Sequence, residues 1–439
     1  MPAQASRGFA VPAAFFSALA LGFAQAPSNP QPTLTLQEAE AMAIRNHPQI
    51  LGAQNEVAYS NQQIRVQRSA YYPNLTGDLT GSEANHGARI GAGSLTSSLL
   101  FNRFGQGVVL NQLITDSGRT PNLVASSRLD AQATEQTAQA TQYDVILQVN
   151  RAYFDVLRAR NLVKVAEQTV SARQLLSDQV TTLAKNNLRS QLDVSFADVN
   201  VSEANLLLIQ AQDNAQQAVA ELGRAIGSDQ PADFQLADEA MPSGPAASPD
   251  DLVAQATGNR PEIASLRFSR DSAYKFADAE KDLSRPTVGL TGVAGFLPFI
   301  NQAGSTPIPA EYQAAAVNVS VPLLNGHLFA ARREAARQRA MEADQKLRDE
   351  QERVARDVRV SWASEVNAYH RIDVTAQFLR QAALALDLAQ GRYNLGLSSI
   401  VELTQAQLNL TQAEIENLNA KYDYQTQHAV LQYTLGLLR

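Results

Sequence analysis

Arg392-Tyr393-Asn394-Leu395-Gly396-Leu397-Ser398-Ser399-Ile400-Val401-Glu402 reads as the point where one very long helix reverses into another. Upstream, neither Pro nor Gly occurs from Leu328 to Gln390. At roughly 1.5 Å per residue this is on the order of 95 Å of continuous helix. Downstream, Ile400 to Leu435 keeps a helical period back in the opposite direction. The break between them, Asn394-Leu395-Gly396-Leu397, carries a glycine suited to the left-handed conformation that reverses a helix end. The same plan occurs 209 residues earlier, where Lys185-Asn186-Asn187-Leu188 separates a stretch free of Pro and Gly after Pro121 from a return over Gln191 to Ile226. Asn187 and Gly396 are equivalent, and Asn tolerates the same left-handed conformation.

Other positions carry the duplication across the chain. Leu110/Val319, Asp116/Asn325, Val149/Val358, Leu222/Leu431 and Gly227/Gly436 share the offset of 209. Asn46-His47-Pro48-Gln49-Ile50 recurs as Asn259-Arg260-Pro261-Glu262-Ile263 at an offset of 213, as does Tyr72-Pro73 in Arg285-Pro286. The change of register falls between Gly81 and Leu110, which predicts an exposed loop there, because packed elements do not tolerate insertions. On the first long helix Val145, Val149, Ala152, Val156, Ala159, Val163, Ala166 and Val170 alternate spacings of four and three. This is the seam of helices packed side by side in a coiled coil.

Upstream of each long helix the period changes to two. Val317, Val319, Val321 and Leu323 alternate with polar residues or Pro; so do Val288 and Leu290, then Ala294 and Phe296, and so do Leu75 and Leu79. A fourth strand over Gly107 to Thr115 is interrupted by Gln112. Segments of this length, apolar on one face, suit a membrane β-barrel with a wet interior. Tyr71, Tyr72, Phe101, Phe104 and Tyr312 near the strand ends would form its aromatic girdles. The competing reading is half of a soluble sandwich. Four strands cannot close a barrel, and open edges in hydrocarbon leave backbone groups unsatisfied, so the barrel reading requires several chains to pool their strands.

Composition narrows the class. The chain has 439 residues, net charge −7, 18% charged and 6% aromatic residues, which argues against a nucleic-acid partner. It has no cysteine, hence no disulfide framework. Arg7 followed by the apolar run Phe9 to Ala24 and by Ala24-Gln25-Ala26 predicts an export signal over residues 1–26. After it, no run approaches the roughly 18–20 apolar residues of a membrane helix. The organisation expected is a first repeat over 27–230 (hairpin 73–116, long helix 122–185, returning helix 191–226) and a linker over 231–250. A second repeat follows over 251–439 (hairpin 286–324, long helix 328–392, returning helix 400–435). The linker is marked by Pro, Gly and small residues from Ala237 to Pro249.

Nothing points to catalysis or a cofactor. His47, His86, His327, His370 and His428 are scattered, and no nucleophile elbow, phosphate loop or dinucleotide fingerprint is present. Arg332, Arg333, Arg337 and Arg339 read as a solvated helix face, or alternatively as a contact for lipid phosphates.

Leu34 to Ile50, Leu113-Ile114-Thr115-Asp116-Ser117-Gly118-Arg119, Pro322-Leu323-Leu324-Asn325-Gly326 and Arg392 to Ala413 together resemble the TolC-like outer membrane factor family over nearly the whole chain after the signal. The resemblance implies an α+β membrane protein: a trimeric, 12-stranded β-barrel with four strands per chain, continued by a long α-helical coiled-coil tunnel and built on an internal two-fold repeat. It implies a bacterial outer-membrane location with the tunnel in the periplasm. The partners implied are two further copies of the chain, outer-membrane lipid, a periplasmic adaptor and an inner-membrane pump of the RND, ABC or MFS type, in efflux or type I secretion.

In such tunnels acidic side chains ring the periplasmic entrance. Glu402 matches the first acidic position, Gln405 stands at the second, and Asp193 is the acid of the first repeat. Tyr393 matches the tyrosine that holds family tunnels shut by hydrogen bonding, and Ser398 stands where an arginine is frequent. Residue chemistry offers two readings of Asp193 and Glu402: a cation-favouring ring, or first-turn acids that complement a helix dipole. Asn186, Asn187, Leu188, Arg189, Leu395, Gly396 and Leu397 are expected adaptor contacts, since exposed leucines need a partner. The rival from another class is an exported structural coiled-coil protein without a pore.

Overall fold

The computed structural model describes residues 33–83, 102–228, 235–245, 248–301 and 310–438. The signal segment, His86, Phe101 and most of the expected register-change loop lie outside the described residues.

Each repeat begins with two short helices meeting at a proline. Strand β1 (Thr33–Leu34) leads into α1 (Leu36–Asn46), whose Thr35 and Glu38 form a reciprocal capping box, then α2 (Pro48–Arg68). Proline at the first helical position gives up only an N–H that would be orphaned anyway. The second repeat does the same with α5 (Asp250–Asn259) and α6 (Pro261–Lys281). Between α4 and α5, β4 (Gln235–Leu236) pairs in parallel with β1. The Tyr153 hydroxyl donates to the carbonyls of Leu34 (2.9 Å) and Ala237 (2.7 Å), and Tyr424 and Gln425 hold Ser243 and Glu239, so this segment is strapped to the helices.

The sheet is antiparallel throughout, in the order β2 (Asn74–Ser82), β3 (Asn102–Thr115), β5 (Thr287–Asn301), β6 (Glu311–Ser320). The β3–β5 pairing joins the two repeats. Strand β3 is longer than its interrupted alternation suggests, because Gln112 bonds the carbonyls of Tyr71 and Leu113 rather than breaking the ladder. Conversely β6 stops at Ser320: Pro322 has no N–H to donate, so Val321 and Leu323, read above as strand, lie beyond it. Tyr71 and Tyr72 sit at the helical end of the sheet, Phe104 and Tyr312 at the far end.

Two 67-residue helices follow, α3 (Arg119–Lys185) and α7 (Leu328–Asn394), each about 100 Å long. Their returns are α4 (Gln191–Ala225) and α8 (Ile400–Thr434). Helix α3 runs through Pro121, which falls in its first turn where no intrahelical N–H is needed. Of the predicted seam, Val145, Val149, Val156 and Ala166 are fully buried, while Val163 and Val170 are half-buried. Among the described residues no helix is apolar enough to cross a membrane.

The junction of sheet and helices is tied by charge. Glu280 of α6, 2% exposed, receives Arg332 at 2.6 and 3.0 Å with Arg119 at 3.9 Å. Asp282 binds Arg285 (2.9 Å) and Asn122 (2.9 Å), and Arg285 donates to the Ser117 carbonyl. Arg332 is 46% exposed and shares the solvated face expected of Arg333, Arg337 and Arg339, while its guanidinium also reaches a buried carboxylate of the same repeat. The Arg119 and Asn122 links reach α3 and fasten the first repeat to the second.

Candidate entrance at the helical tips

At the end opposite the sheet the two helical hairpins turn side by side. Asn187 (φ 60°) and Gly396 (φ 71°) adopt the left-handed conformation expected of them. Each turn closes with the same pair of backbone bonds, Leu188 N–H to Leu183 and Asn187 to Ala184, and Leu397 to Arg392 and Gly396 to Tyr393. These satisfy the last carbonyls of each long helix. The turn leaves Leu188 (69%), Leu395 (76%) and Leu397 (66%) exposed, with Asn186 beside them folded back onto the Thr182 carbonyl.

The two acids of the site begin the returning helices. Ser190 and Asp193 form a capping box, the Asp193 carboxylate accepting from the Ser190 N–H at 3.2 Å. Ser399 caps α8 through the Glu402 N–H at 3.4 Å, leaving the Glu402 carboxylate free to meet Arg392 Nε at 3.4 Å. Each acid thus has a helix N-terminus or a cation beside it, as first-turn acids should. Gln405 donates to Asn409 on its own helix and joins neither.

Tyr393 is buried, 3% exposed, in an apolar cluster with Leu176, Val180, Val194, Ile400 and Leu403 drawn from both repeats. The resemblance implied a link through its hydroxyl, but among the described residues that hydroxyl has no hydrogen-bond partner. The link runs through the rest of the residue. The Arg189 guanidinium lies 4.1 Å from the Tyr393 ring centroid and donates to the Tyr393 carbonyl at 2.8 Å. A cation stacked over an aromatic face is worth about 0.5–2 kcal/mol, rising as water is excluded. Burial, and then the charge of Asp193, push the Tyr393 hydroxyl above its ordinary pKa, with Arg189 opposing. Arg189, expected as an adaptor contact, is half-buried and folded onto Tyr393. Ser398, the 209-residue equivalent of Arg189, is half-buried with its hydroxyl unpartnered. The arginine of this tip therefore stands in the first repeat rather than the second, a placement the shared offset marks in the sequence.

A second tie went unseen in the sequence. Asn200 of α4 donates to Thr404 of α8 at 3.1 Å, linking the hairpins directly. Its carbonyl receives the buried Arg173 at 3.1 Å, with Glu203 at 3.6 Å. Above the tips, Leu175, Gln179 and Thr182 of α3 face Leu386, Gln390 and Asn394 of α7 across an open groove. Among the described residues no three His, Asp or Glu side chains gather as a metal site.

A sheet at one end and coiled helices some 100 Å long running from it to charged tips suit a structure that conducts solutes rather than converts them. The comparisons with known proteins agree. The family model described as outer membrane efflux protein matches residues 41–228 and 252–437, one stretch in each repeat. The outer membrane efflux protein BepC of Brucella suis is 23% identical, aligned over 89% of this chain and 82% of its own length. The outer membrane protein TolC of Vibrio cholerae is 25% identical, over 92% and 91%. The outer membrane protein VceC of Vibrio cholerae superposes with a TM-score of 0.78 over 91% of this chain and 96% of that one at 17% identity, so the fold persists where the sequence has drifted. The chain belongs to the outer membrane efflux protein family: it is an outer-membrane efflux channel that continues into the periplasm as a helical tunnel.

Proposed function

We propose that three copies of this chain assemble into one conduit, a 12-stranded barrel closed by β2 of each protomer against β6 of the next. The observation that carries this is the open sheet. Its outer strands β2 and β6 are exposed along their length, with unpaired edges that hydrocarbon would not tolerate. The helices support the same closure. They follow one another as α4–α3–α8–α7, and both outer members carry exposed apolar residues: Leu192, Phe196, Val199, Leu206 and Ile209 on α4, Val374, Phe378, Leu384 and Leu388 on α7. Such stripes are coiled-coil seams awaiting a partner, and α7 of one protomer against α4 of the next supplies it.

In this reading the tips are the periplasmic entrance, with Asp193, Glu402, Gln405, Tyr393 and Ser398 lining or supporting it. The exposed leucines and the α3/α7 groove receive a periplasmic adaptor, which connects the conduit to an inner-membrane pump that selects the cargo. The purified protein should sediment with outer membranes, require detergent, run as a trimer on an unheated gel and conduct ions in planar bilayers. A monomer soluble in plain buffer would refute the assembly. A pull-down with cross-linking at Leu188 and Leu397 identifies the adaptor.

A further inference from the structure

We infer that the free cations where the helices leave the sheet, Arg68, Lys281, Arg333 and Arg337, bind the phosphate headgroups of anionic phospholipid in the periplasmic leaflet of the outer membrane. This rests on the conduit proposed above and adds a lipid partner to it. The starting observation is a surplus of charge. In the last two turns of α2 and α6 and the first three of α7, the acids are already occupied. Glu280 holds Arg332 and Arg119, Asp278 meets Lys275 at 3.7 Å, and Glu334 accepts from Gln338 of its own helix. Just beyond α6, Asp282 holds Arg285. Arg68, Lys281, Arg333 and Arg337 are exposed and, among the described residues, form no ion pair. Arg339, the next basic residue along α7, is offset by Glu342.

Helix dipoles account for Arg68 and Lys281, which sit in last turns. They do not account for Arg333 and Arg337, which follow the N-terminus of α7, the end that favours anions. The level of the band supplies the missing partner. Leu323 (92% exposed) and Leu324 (94%) precede α7, and exposed Tyr71 and Tyr72 precede β2. Aromatic and apolar side chains at one level mark a membrane boundary. Arg333 and Arg337 stand roughly 8 and 14 Å along α7 from Leu328, beside a headgroup layer about 5–8 Å deep. Helical side chains lean toward the N-terminus, here the membrane, so Arg333 lies within the layer and Arg337 reaches back to it. Both repeats contribute, since Arg68 and Lys281 occupy the same place at the offset of 213. The band also lies on the outer side of the helices. Tyr274, seven residues before Lys281, bonds Asp344 and lies in the field of Arg337, so Lys281 and Arg337 share one side of the α6–α7 pair. Heptad steps along α7 from Arg337 reach Val358, which packs in one cluster with Leu252, Val253 and Ala256 of α5. Were that side the inner one, α5 would plug the tunnel. Arg333 is four residues from Arg337 and therefore its neighbour on the helix surface. Unpaired arginines and a lysine beside a membrane attract anionic lipid, the guanidinium fork matching a phosphate.

The probe is dioleoyl phosphatidylglycerol, with dioleoyl phosphatidylethanolamine as the neutral comparison. Both are added in equal amounts to the full chain in detergent, and the lipids retained are counted by native mass spectrometry. The native protein should keep phosphatidylglycerol several-fold over phosphatidylethanolamine. Arg68→Gln, Lys281→Gln, Arg333→Gln and Arg337→Gln together should bring that ratio close to one. Arg339→Gln, Lys346→Gln, Arg353→Gln and Arg356→Gln remove the same charge farther along α7 and should leave it unchanged. The paired variants Arg68→Gln with Lys281→Gln, and Arg333→Gln with Arg337→Gln, should each fall between, and they carry the test if the fourfold variant does not fold. No preference in the native protein, a preference that survives the fourfold change, or an equal loss in the distant set would each overturn the inference. The mass of the particle reports the assembly separately. A trimer that keeps both lipids alike refutes the headgroup site alone, and a monomer that still prefers phosphatidylglycerol refutes the trimer and supports the site.

Discussion

Three of the five described glycines with left-handed φ follow the end of a helix, in different surroundings, and alanine at each should separate strain from crowding. Gly396 (φ 71°) turns the second tip, and a Cβ there would meet nothing within 4 Å. Gly436 (φ 69°) ends α8 against the α5–α6 bend, where a Cβ would lie 3.0 Å from the carbonyl carbon and oxygen of Asn259. Gly227 (φ 69°) ends α4 against the α1–α2 bend, where it would lie 2.9 Å from the Asn46 carbonyl carbon. Gly396→Ala therefore carries only the left-handed penalty of about 1–2 kcal/mol. Gly436→Ala and Gly227→Ala add overlap with backbone that cannot rotate away, about 1–3 kcal/mol more. Gly396→Asn should be nearly neutral, because Asn187 holds φ 60° at the equivalent turn. The assay is denaturant unfolding in detergent followed by far-UV circular dichroism at one fixed protein concentration, since an oligomer's stability depends on concentration. Limited proteolysis would show which hairpin end loosens. If Gly396→Ala were as damaging as Gly436→Ala, crowding would not be what sets the cost.

Two further outcomes are expected. Burial, reinforced by the charge of Glu239, raises Tyr153 to about 12, so between about pH 10 and 12 the unfolded chain ionises this tyrosine before the folded one does. Stability then falls as pH rises through that window, and Tyr153→Phe should flatten the fall in an alkaline unfolding titration. At the entrance, Arg392→Ala should increase cation selectivity in bilayer reversal potentials and Glu402→Gln should decrease it, because Arg392 offsets Glu402 at 3.4 Å. Equal selectivity in all three proteins would show that these charges do not face the permeation path.

The features legible in the sequence are those that local chemistry dictates. Pro- and Gly-free stretches became α3 and α7, and Asn187 and Gly396 turned as their φ preferences require. The alternation of Val288 and Leu290 and of Val317 and Val319 became paired strands in register with each other. The features missed depend on partners distant in sequence. Helices α2 and α6 were hidden behind the repeated Asn-x-Pro motif, although proline at a helix start is itself a signal. Arg332 looked like one more member of a basic run because its partner, Glu280, lies 52 residues away. The bond from Arg189 to the Tyr393 carbonyl was equally hidden, because a position beside the tip says nothing of the neighbouring hairpin toward which the side chain folds. The stripes on α4 and α7 look like any buried seam, and only the order of the helices shows that the chain itself leaves them uncovered.

Duplication also supplies a control for a buried charge. Glu365 of α7 is 1% exposed, its Oε1 2.6 Å from His428 Nδ1 on α8 and its Oε2 without a partner. In the first repeat the equivalent residues are Val156 and Val219, which join one apolar cluster. The same helix pair is thus held once by an ionisable pair and once by hydrocarbon. Desolvating a carboxylate costs about as much as a good partner returns, so an apolar replacement of both residues is often neutral or stabilising by roughly 1–4 kcal/mol. Glu365→Val with His428→Val should therefore unfold no earlier than the native protein. His428→Ala alone strands a buried carboxylate, a loss of about 3–5 kcal/mol when the pair is wholly buried. The 30% exposure of the His428 side chain should reduce that to about 2 kcal/mol, because solvent screens the pair. The order of the two midpoints decides the matter. If the double valine variant were the less stable, the Glu365–His428 pair would be stabilising in its own right, and the two hairpins would not be energetically interchangeable at this level of the tunnel.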